Sequence, residues 1–176
     1  MQANFAFSGR IGSGKTQVSK AVATVLGLGW NSFGATIKNI AVERNLPTDR
    51  KGLQALGEKL VATEPENLCR RLLLDAKPSG SQPIVIDGLR HRHIRDMLQR
   101  LLAPAALVVV FVDVADAIRL ERLRIRDGLT DWEVKEFEGH STEIQVAAEI
   151  RSLADLVADN SGALDTTVAA ITARAG

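Results

Sequence analysis

Four short apolar runs, Asn4–Ser8, Pro83–Asp87, Ala106–Asp113 and Leu156–Asp159, punctuate a chain whose other apolar residues recur at three- and four-residue spacing. The runs do not alternate between apolar and polar. β-branched residues crowd Ile84-Val85-Ile86 and Val108 to Val112, as in strands buried on both faces. Between the runs the spacing predicts helices over roughly 15–27, 35–45, 51–62, 66–75, 91–101, 114–126, 131–150 and 163–174. In the first of these, Val18, Ala21, Val22, Val25 and Leu26 share a face. The alternation predicts an α/β fold, a parallel sheet covered on both sides. A further short strand is expected near Trp30–Phe33. Lys77–Pro83, rich in Pro, Ser and Gly, reads as a surface loop. The 176 residues are therefore taken as one domain.

The stretch after the first run carries the chemistry. Gly9-Arg10-Ile11-Gly12-Ser13-Gly14-Lys15-Thr16 sits between a strand and a helix, the setting of a phosphate-binding loop. Backbone N–H groups must all face one polyphosphate, and glycine lets the chain curl that tightly. Gly9, Ile11, Gly12, Ser13 and Gly14 would form the cradle. Lys15 would neutralise the outer phosphates, Thr16 would offer a hydroxyl to Mg2+, and the helix N-terminus would face the anion.

In parallel sheets, ligands sit beyond the carboxyl ends of the strands, which brings forward Asp87, Asp113 and Asn160. Asp87 in Asp87-Gly88-Leu89-Arg90 can hold Mg2+ or accept a hydroxyl proton, or it can simply cap the next helix. Arg90 has the rigid fork that clamps an anionic acceptor. Asn160, in the turn after the last strand, fits either a nucleotide base or its own turn. Arg119, Arg122 and Arg126 share a helix face at three- and four-residue spacing. That face fits a transferring phosphoryl group; it also fits a solvated surface balanced by Glu121, Asp127 and Glu133. Arg124 points away. Residues 33–76 form a polar helical region where an acceptor would bind. There Arg50 follows a capping Asp49, and Gly57 marks close packing or close substrate approach. Trp30 and Phe33 fit core packing or the wall of a base pocket. His91 and His93 are two apart and do not share a helix face.

Charge and composition narrow the partners. Lys and Arg number 22 against 21 Asp and Glu, and aromatics make up 4%. This is not the basic footprint or the stacking platform of a nucleic-acid binder. The lone Cys69, among leucines, excludes an internal disulfide and reads as a buried thiol in a reducing compartment. Met1–Asn4 carry no leader pattern, and Leu107–Val112 is too short to cross a membrane. A cytoplasmic protein is expected, with monomer and homodimer both open.

Taken in order along the chain, these motifs resemble the P-loop small-molecule kinases of the nucleoside monophosphate kinase-like group. The dephospho-coenzyme A kinase-like and phage-type deoxynucleoside monophosphate kinase branch is the most similar. The resemblance rests on Gly9–Thr16, Arg50 with Leu53–Gly57, Val85–Arg90, Phe111–Asp113, Arg122–Asp127 and Ala158–Gly162. It implies a P-loop NTPase three-layer sandwich with a five-stranded parallel sheet in the order 2-3-1-4-5. It implies ATP and Mg2+ at Lys15, Thr16 and Asp87, and Arg50 and Arg90 on the acceptor. A short lid over about 119–140 would bring Arg122 and Arg126 onto the transferred group. The expected reaction is γ-phosphoryl transfer to a (deoxy)nucleoside monophosphate. Transfer to the ribose hydroxyl of dephospho-coenzyme A and a nucleotide-gated switch are the alternatives. The Asn-Lys-x-Asp sequence of a typical GTPase is not found.

Overall fold

The computed structural model describes residues 3–76, 82–128, 130, 133 and 146–174, with the side chains of Arg126, Asp127 and Ala147 left out. Five strands, β1 (Asn4–Ser8), β2 (Gly29–Ser32), β3 (Ile84–Asp87), β4 (Leu107–Asp113) and β5 (Leu156–Asp159), form one sheet. Its order is β2-β3-β1-β4-β5, and all four pairings are parallel. The helices are α1 (Lys15–Leu26), α2 (Phe33–Glu43), α3 (Arg50–Thr63), α4 (Pro65–Ala76), α5 (Arg92–Leu102), α6 (Asp116–Asp127) and α7 (Leu164–Thr172), with a π-helical turn at Val146–Ile150. This is the five-stranded P-loop architecture the resemblance implied.

The strand pleat sorts side chains to two cores. Phe5, Phe7, Val85, Val110 and Val112 pack with Val18 and Val22 of α1 and Val168 and Ile171 of α7. On the other face Ala6, Ile84, Ile86 and Val109 meet Ile40, Leu60, Leu72 and Leu98 from α2 to α5. The polar residue Asn4 is buried within β1 yet fully used: its Nδ2 donates to Ala106 O at 3.1 Å and its Oδ1 accepts from Ile84 N at 3.1 Å. That ties the starts of three strands together.

Element boundaries follow local hydrogen bonds. The strand expected near Trp30–Phe33 ends at Ser32, because Ser32 Oγ accepts from Ala35 N at 3.1 Å and so caps α2 two residues before the predicted start. α6 begins at Asp116 rather than at 114, since Asp113 Oδ1 holds Val114 N at 3.0 Å and Ala115 stays extended. Of the helix expected over 131–150, the turn at Val146–Ile150 and a helical Glu133 are described, and most of the rest lies outside the described residues. Thr130 and Glu133 form a capping box: Glu133 Oε2 accepts from Thr130 N at 2.8 Å and Glu133 N donates back to Thr130 Oγ1 at 3.3 Å. Residues 77–81 of the expected loop also lie outside.

Trp30 and Phe33 do not share a pocket wall. Trp30 packs against the α1 core and donates its indole N–H to Ser19 Oγ at 3.0 Å, whereas Phe33 belongs to the opposite core. Cys69 is fully buried, and burial pushes its thiol up to about 12. Among the described residues, no helix is long and apolar enough to cross a membrane.

Candidate active site

The turn from β1 into α1 forms the nest. Gly9, Gly12 and Gly14 have φ of 152°, 81° and 82°, values that favour glycine. Space makes the same demand: a Cβ on Gly9 would lie 2.5 Å from Val112 O, and one on Gly14 would lie 2.5 Å from Asn160 Nδ2. Gly14 is the N-cap of α1, and Lys15 and Thr16 are its first residues. No acidic residue of α1 itself lies in that first turn, so the positive end of the helix faces the loop, and the carboxylate that reaches it, Asp87, comes from β3.

Thr16 and Asp87 meet at the foot of the nest. Thr16 Oγ1 donates to Asp87 Oδ2 at 2.7 Å. Asp87 ends β3 in register with Phe7 of β1 and is 4% exposed. Its other oxygen, Oδ1, is buried with no protein partner. Asp87 does not cap α5, whose N-cap is His91. A hydroxyl beside a buried carboxylate with open lone pairs is a donor set of hard oxygens, which fits Mg2+. Past Asp87, Gly88 (φ 92°) and Leu89 both donate their N–H to Phe7 O, and Ser8 Oγ donates to Leu89 O at 2.6 Å. These bonds draw the chain across the carboxyl end of β1, and half-buried Arg90 follows directly.

α6 and the end of β5 close on the loop from the other side. Asn160 is buried; its Nδ2 donates to Ser13 O at 2.8 Å and its N–H to Asp113 O at 2.8 Å. Its side chain therefore holds the loop and not its own turn, which Asp159 fixes by accepting from Ser161 N and Oγ. Arg122 donates to Asn160 O at 2.9 Å and to Ser13 O at 3.4 Å. Arg119, expected on the same open face as Arg122, is only 2% exposed. It donates Nη1 to Ile11 O at 3.3 Å and Nε to Asp116 Oδ1 at 3.1 Å. Arg10 reaches the same carboxylate oxygen at 2.7 Å. Burial raises the Asp116 carboxyl, but the Arg119 hydrogen bond and the charges of Arg10 and Arg119 outweigh it and hold the group below its usual value.

Gly9, Ile11, Gly12, Ser13, Gly14, Lys15, Thr16, Asp87, Arg122 and Asn160 thus lie on connected elements at the carboxyl end of the sheet. The Arg126 side chain lies outside the described residues. Arg50 is exposed at the first position of α3, behind an Asp49 cap that accepts from Gly52 N at 2.8 Å. Gly57 is explained by packing, since a Cβ there would lie 3.2 Å from Ile37 Cδ1 of α2. His93 Nε2 sits 3.3 Å from Val61 O, and no group of three metal-ligating side chains occurs among the described residues. Sequence reasoning missed the burial of Arg119. The Asp116–Arg119 spacing of three residues on one helix was the available signal.

A five-stranded parallel sheet in this order, with a glycine nest on its first strand and a carboxylate on the neighbouring one, defines a P-loop kinase-like fold. The chain belongs to the family described as AAA domain, whose model matches residues 6–145. It is similar to a UPF0200 protein of Aeropyrum pernix, 30% identical over 162 residues, 91% of this chain and 85% of that one. It is also similar to a cytidylate kinase of Pyrobaculum calidifontis, 28% identical over 134 residues, 76% of this chain and 66% of that one. The shikimate kinase of Bacteroides thetaiotaomicron superposes with a TM-score of 0.64 at 17% identity, covering 99% of this chain and 98% of that one. At that identity the likeness speaks to the fold alone.

Proposed function

We propose that this protein is an ATP-dependent small-molecule kinase that transfers the γ-phosphoryl group to a (deoxy)nucleoside monophosphate. The reading places it near the dephospho-coenzyme A kinase-like and phage-type kinase branch. The observation that carries it is the Thr16–Asp87 contact of 2.7 Å beneath a glycine nest, with one Asp87 oxygen buried and unpartnered. A turn that bound nothing would have no use for that arrangement.

The roles follow from position. The loop from Gly9 to Gly14 binds the donor phosphates, and Lys15 neutralises them. Thr16 and Asp87 would hold Mg2+, which supplies charge neutralisation across the transferred phosphoryl oxygens. Arg90, just past β3, holds the acceptor phosphate, and Arg50 adds a second cation from the acceptor region. Arg122 and Arg126 supply positive charge from α6 as negative charge spreads over the transferring group. The protein aligns donor and acceptor and does little covalent chemistry of its own. The similarity to a cytidylate kinase supports a nucleotide acceptor.

The test is a screen of nucleoside monophosphates and dephospho-coenzyme A with magnesium-ATP, reading ADP and phosphorylated product together. Product from a monophosphate, lost in a folded Lys15→Ala variant, supports the reading. ADP without product marks hydrolysis and overturns it. Product from dephospho-coenzyme A alone transfers the assignment to the ribose hydroxyl.

A further inference from the structure

The loop's outward-facing carbonyls are held by charged and amide side chains from elsewhere in the chain. Ile11 O accepts from Arg119 Nη1 at 3.3 Å. Ser13 O accepts from Asn160 Nδ2 at 2.8 Å and from Arg122 Nη1 at 3.4 Å. These two carbonyls are two residues apart. Each shares a planar trans peptide with the N–H of the next residue, and in such a plane the C=O and the N–H point in opposite directions. Holding Ile11 O toward α6 therefore turns Gly12 N–H away from α6. Holding Ser13 O toward α6 and the β5 turn does the same for Gly14 N–H. Both are glycines, whose peptide planes would otherwise rotate with little steric resistance.

From this grip we infer that Arg119 is a positioning residue, which preorganises the anion nest by fixing the Ile11–Gly12 peptide plane. Three observations distinguish it from a general stabiliser. Its guanidinium is 2% exposed, so its donors are spent on the protein. Its stem lies against the loop, with Cγ 3.0 Å from where a Cβ on Gly12 would stand. Its Nε is oriented by Asp116 Oδ1, which also receives Arg10 Nη1 at 2.7 Å. Arg10 is the residue before Ile11, so a closed ring runs from the loop through Arg10, Asp116 and Arg119 back to the loop. The root of α6 is fastened to the nest by this ring. Asn160 performs the matching task at Ser13.

The inference rests on the proposed nucleotide-binding reading, and the experiment separates the two. Magnesium-ADP binding is measured by calorimetry in the wild-type chain, in Arg119→Met, which keeps the stem and removes the fork, and in Arg119→Lys. The Gly12 amide is followed by 15N–1H NMR, with Gly27, at the far end of α1, as reference. Arg119→Met is expected to bind about tenfold more weakly, as befits loss of a charged donor to a backbone carbonyl. Its Gly12 signal should move while Gly27 stays in place. Arg119→Lys, with one compact charge, should restore part of the affinity. Should Arg119→Met not fold, Asp116→Asn decides. Asp116 is 66% exposed, and the substitution removes the negative charge that both arginines share without opening the core. Weaker binding together with a moved Gly12 signal supports the inference. Unchanged affinity and an unmoved Gly12 signal in a folded variant overturn it and leave the kinase reading standing. Absence of binding in the wild type removes the kinase reading itself.

Discussion

Replacing Asp87 with asparagine should make the protein more stable and less active at once. Asp87 is 4% exposed; one oxygen takes the Thr16 hydroxyl at 2.7 Å and the other, Oδ1, has no protein partner. A buried acceptor left unsatisfied costs about 1–3 kcal/mol, and more when it is ionised. Asparagine is nearly isosteric and keeps an oxygen for Thr16. Its Nδ2 takes the place of Oδ1 and is itself unpartnered there, but the formal charge, whose burial is the larger part of the cost, is gone. We expect a gain of about 1–2 kcal/mol, which in a chain of this size raises the thermal midpoint by about 2–8 °C. Turnover should fall by at least about a hundredfold, because the amide neither holds a divalent cation well nor takes a proton. The assay pairs calorimetric melting of both proteins, with and without Mg2+, with phosphotransfer at saturating ATP. Mg2+ should raise the midpoint of the wild type and leave that of Asp87→Asn unchanged. A lower midpoint in the variant would mean that the carboxylate is a structural anchor, and turnover within tenfold of wild type would refute its place at the reacting phosphate.

Two further outcomes test other parts of the molecule. Cys69 is fully buried and burial pushes its thiol up to about 12, so at pH 8 almost none is thiolate; a disulfide reagent should react only as fast as the protein opens and at once in denaturant, and rapid labelling of the folded protein would place Cys69 at an accessible surface. Arg44 donates to both oxygens of Glu64, at 3.2 and 3.1 Å, and Arg71 is paired with Glu43, so both carboxyls are held below 4.5, chiefly by those hydrogen bonds. Because the folded values are depressed, this contribution is fully present above 4.5 and is lost as pH falls through the lower folded values. The urea midpoints of wild type and Glu64→Gln should therefore differ at neutral pH and converge only below 4.5; a gap that ignores pH would show that the pair contributes nothing.

The core strands and the nest were legible because their signals are local. β-branched runs buried on both faces are read directly from Ile84-Val85-Ile86, and Gly9, Gly12 and Gly14 are required at φ values that other residues avoid. β2 was harder to see. In Gly29-Trp30-Asn31-Ser32 the deeply buried residue is polar, with Asn31 Nδ2 satisfied by Thr36 Oγ1 and Leu72 O, each at 3.1 Å. A strand whose interior position is an asparagine carries no hydrophobic pattern, and its partner carbonyl lies 41 residues away. The same reason hid Arg119. A run of four arginines reads as a solvated or ligand-facing stripe, because burial of a guanidinium requires acceptors, and here those come from Ile11 and Asp116 on different elements. Asn160 left two readings open from sequence alone. Only the fold brings Ser13 O, 147 residues earlier, within 2.8 Å of its amide.

The sheet also divides the two halves of the proposed reaction between its faces. α1, which carries Lys15 and Thr16, packs with α7 over Phe5, Phe7 and Val112, whereas α2, α3 and α4 pack over Ala6, Ile84 and Ile86 on the other side. The donor nest is fastened to α6 and the β5 turn through Ile11 O and Ser13 O, and none of those bonds passes through the α2–α4 region. That region has its own braces, Arg44–Glu64 and Arg71–Glu43. A change of side chain along α2 or α3 therefore leaves the phosphate cradle and its peptide planes in place. Asp87 and Phe33 stand at the seam, since Phe33 Cβ lies 3.9 Å from where a Cβ on Gly88 would be. Acceptor choice in this protein should accordingly respond to substitutions at Phe33 and Arg90 while the affinity for magnesium-ADP stays constant. Coupled loss of both affinities would show that the two faces do not act independently.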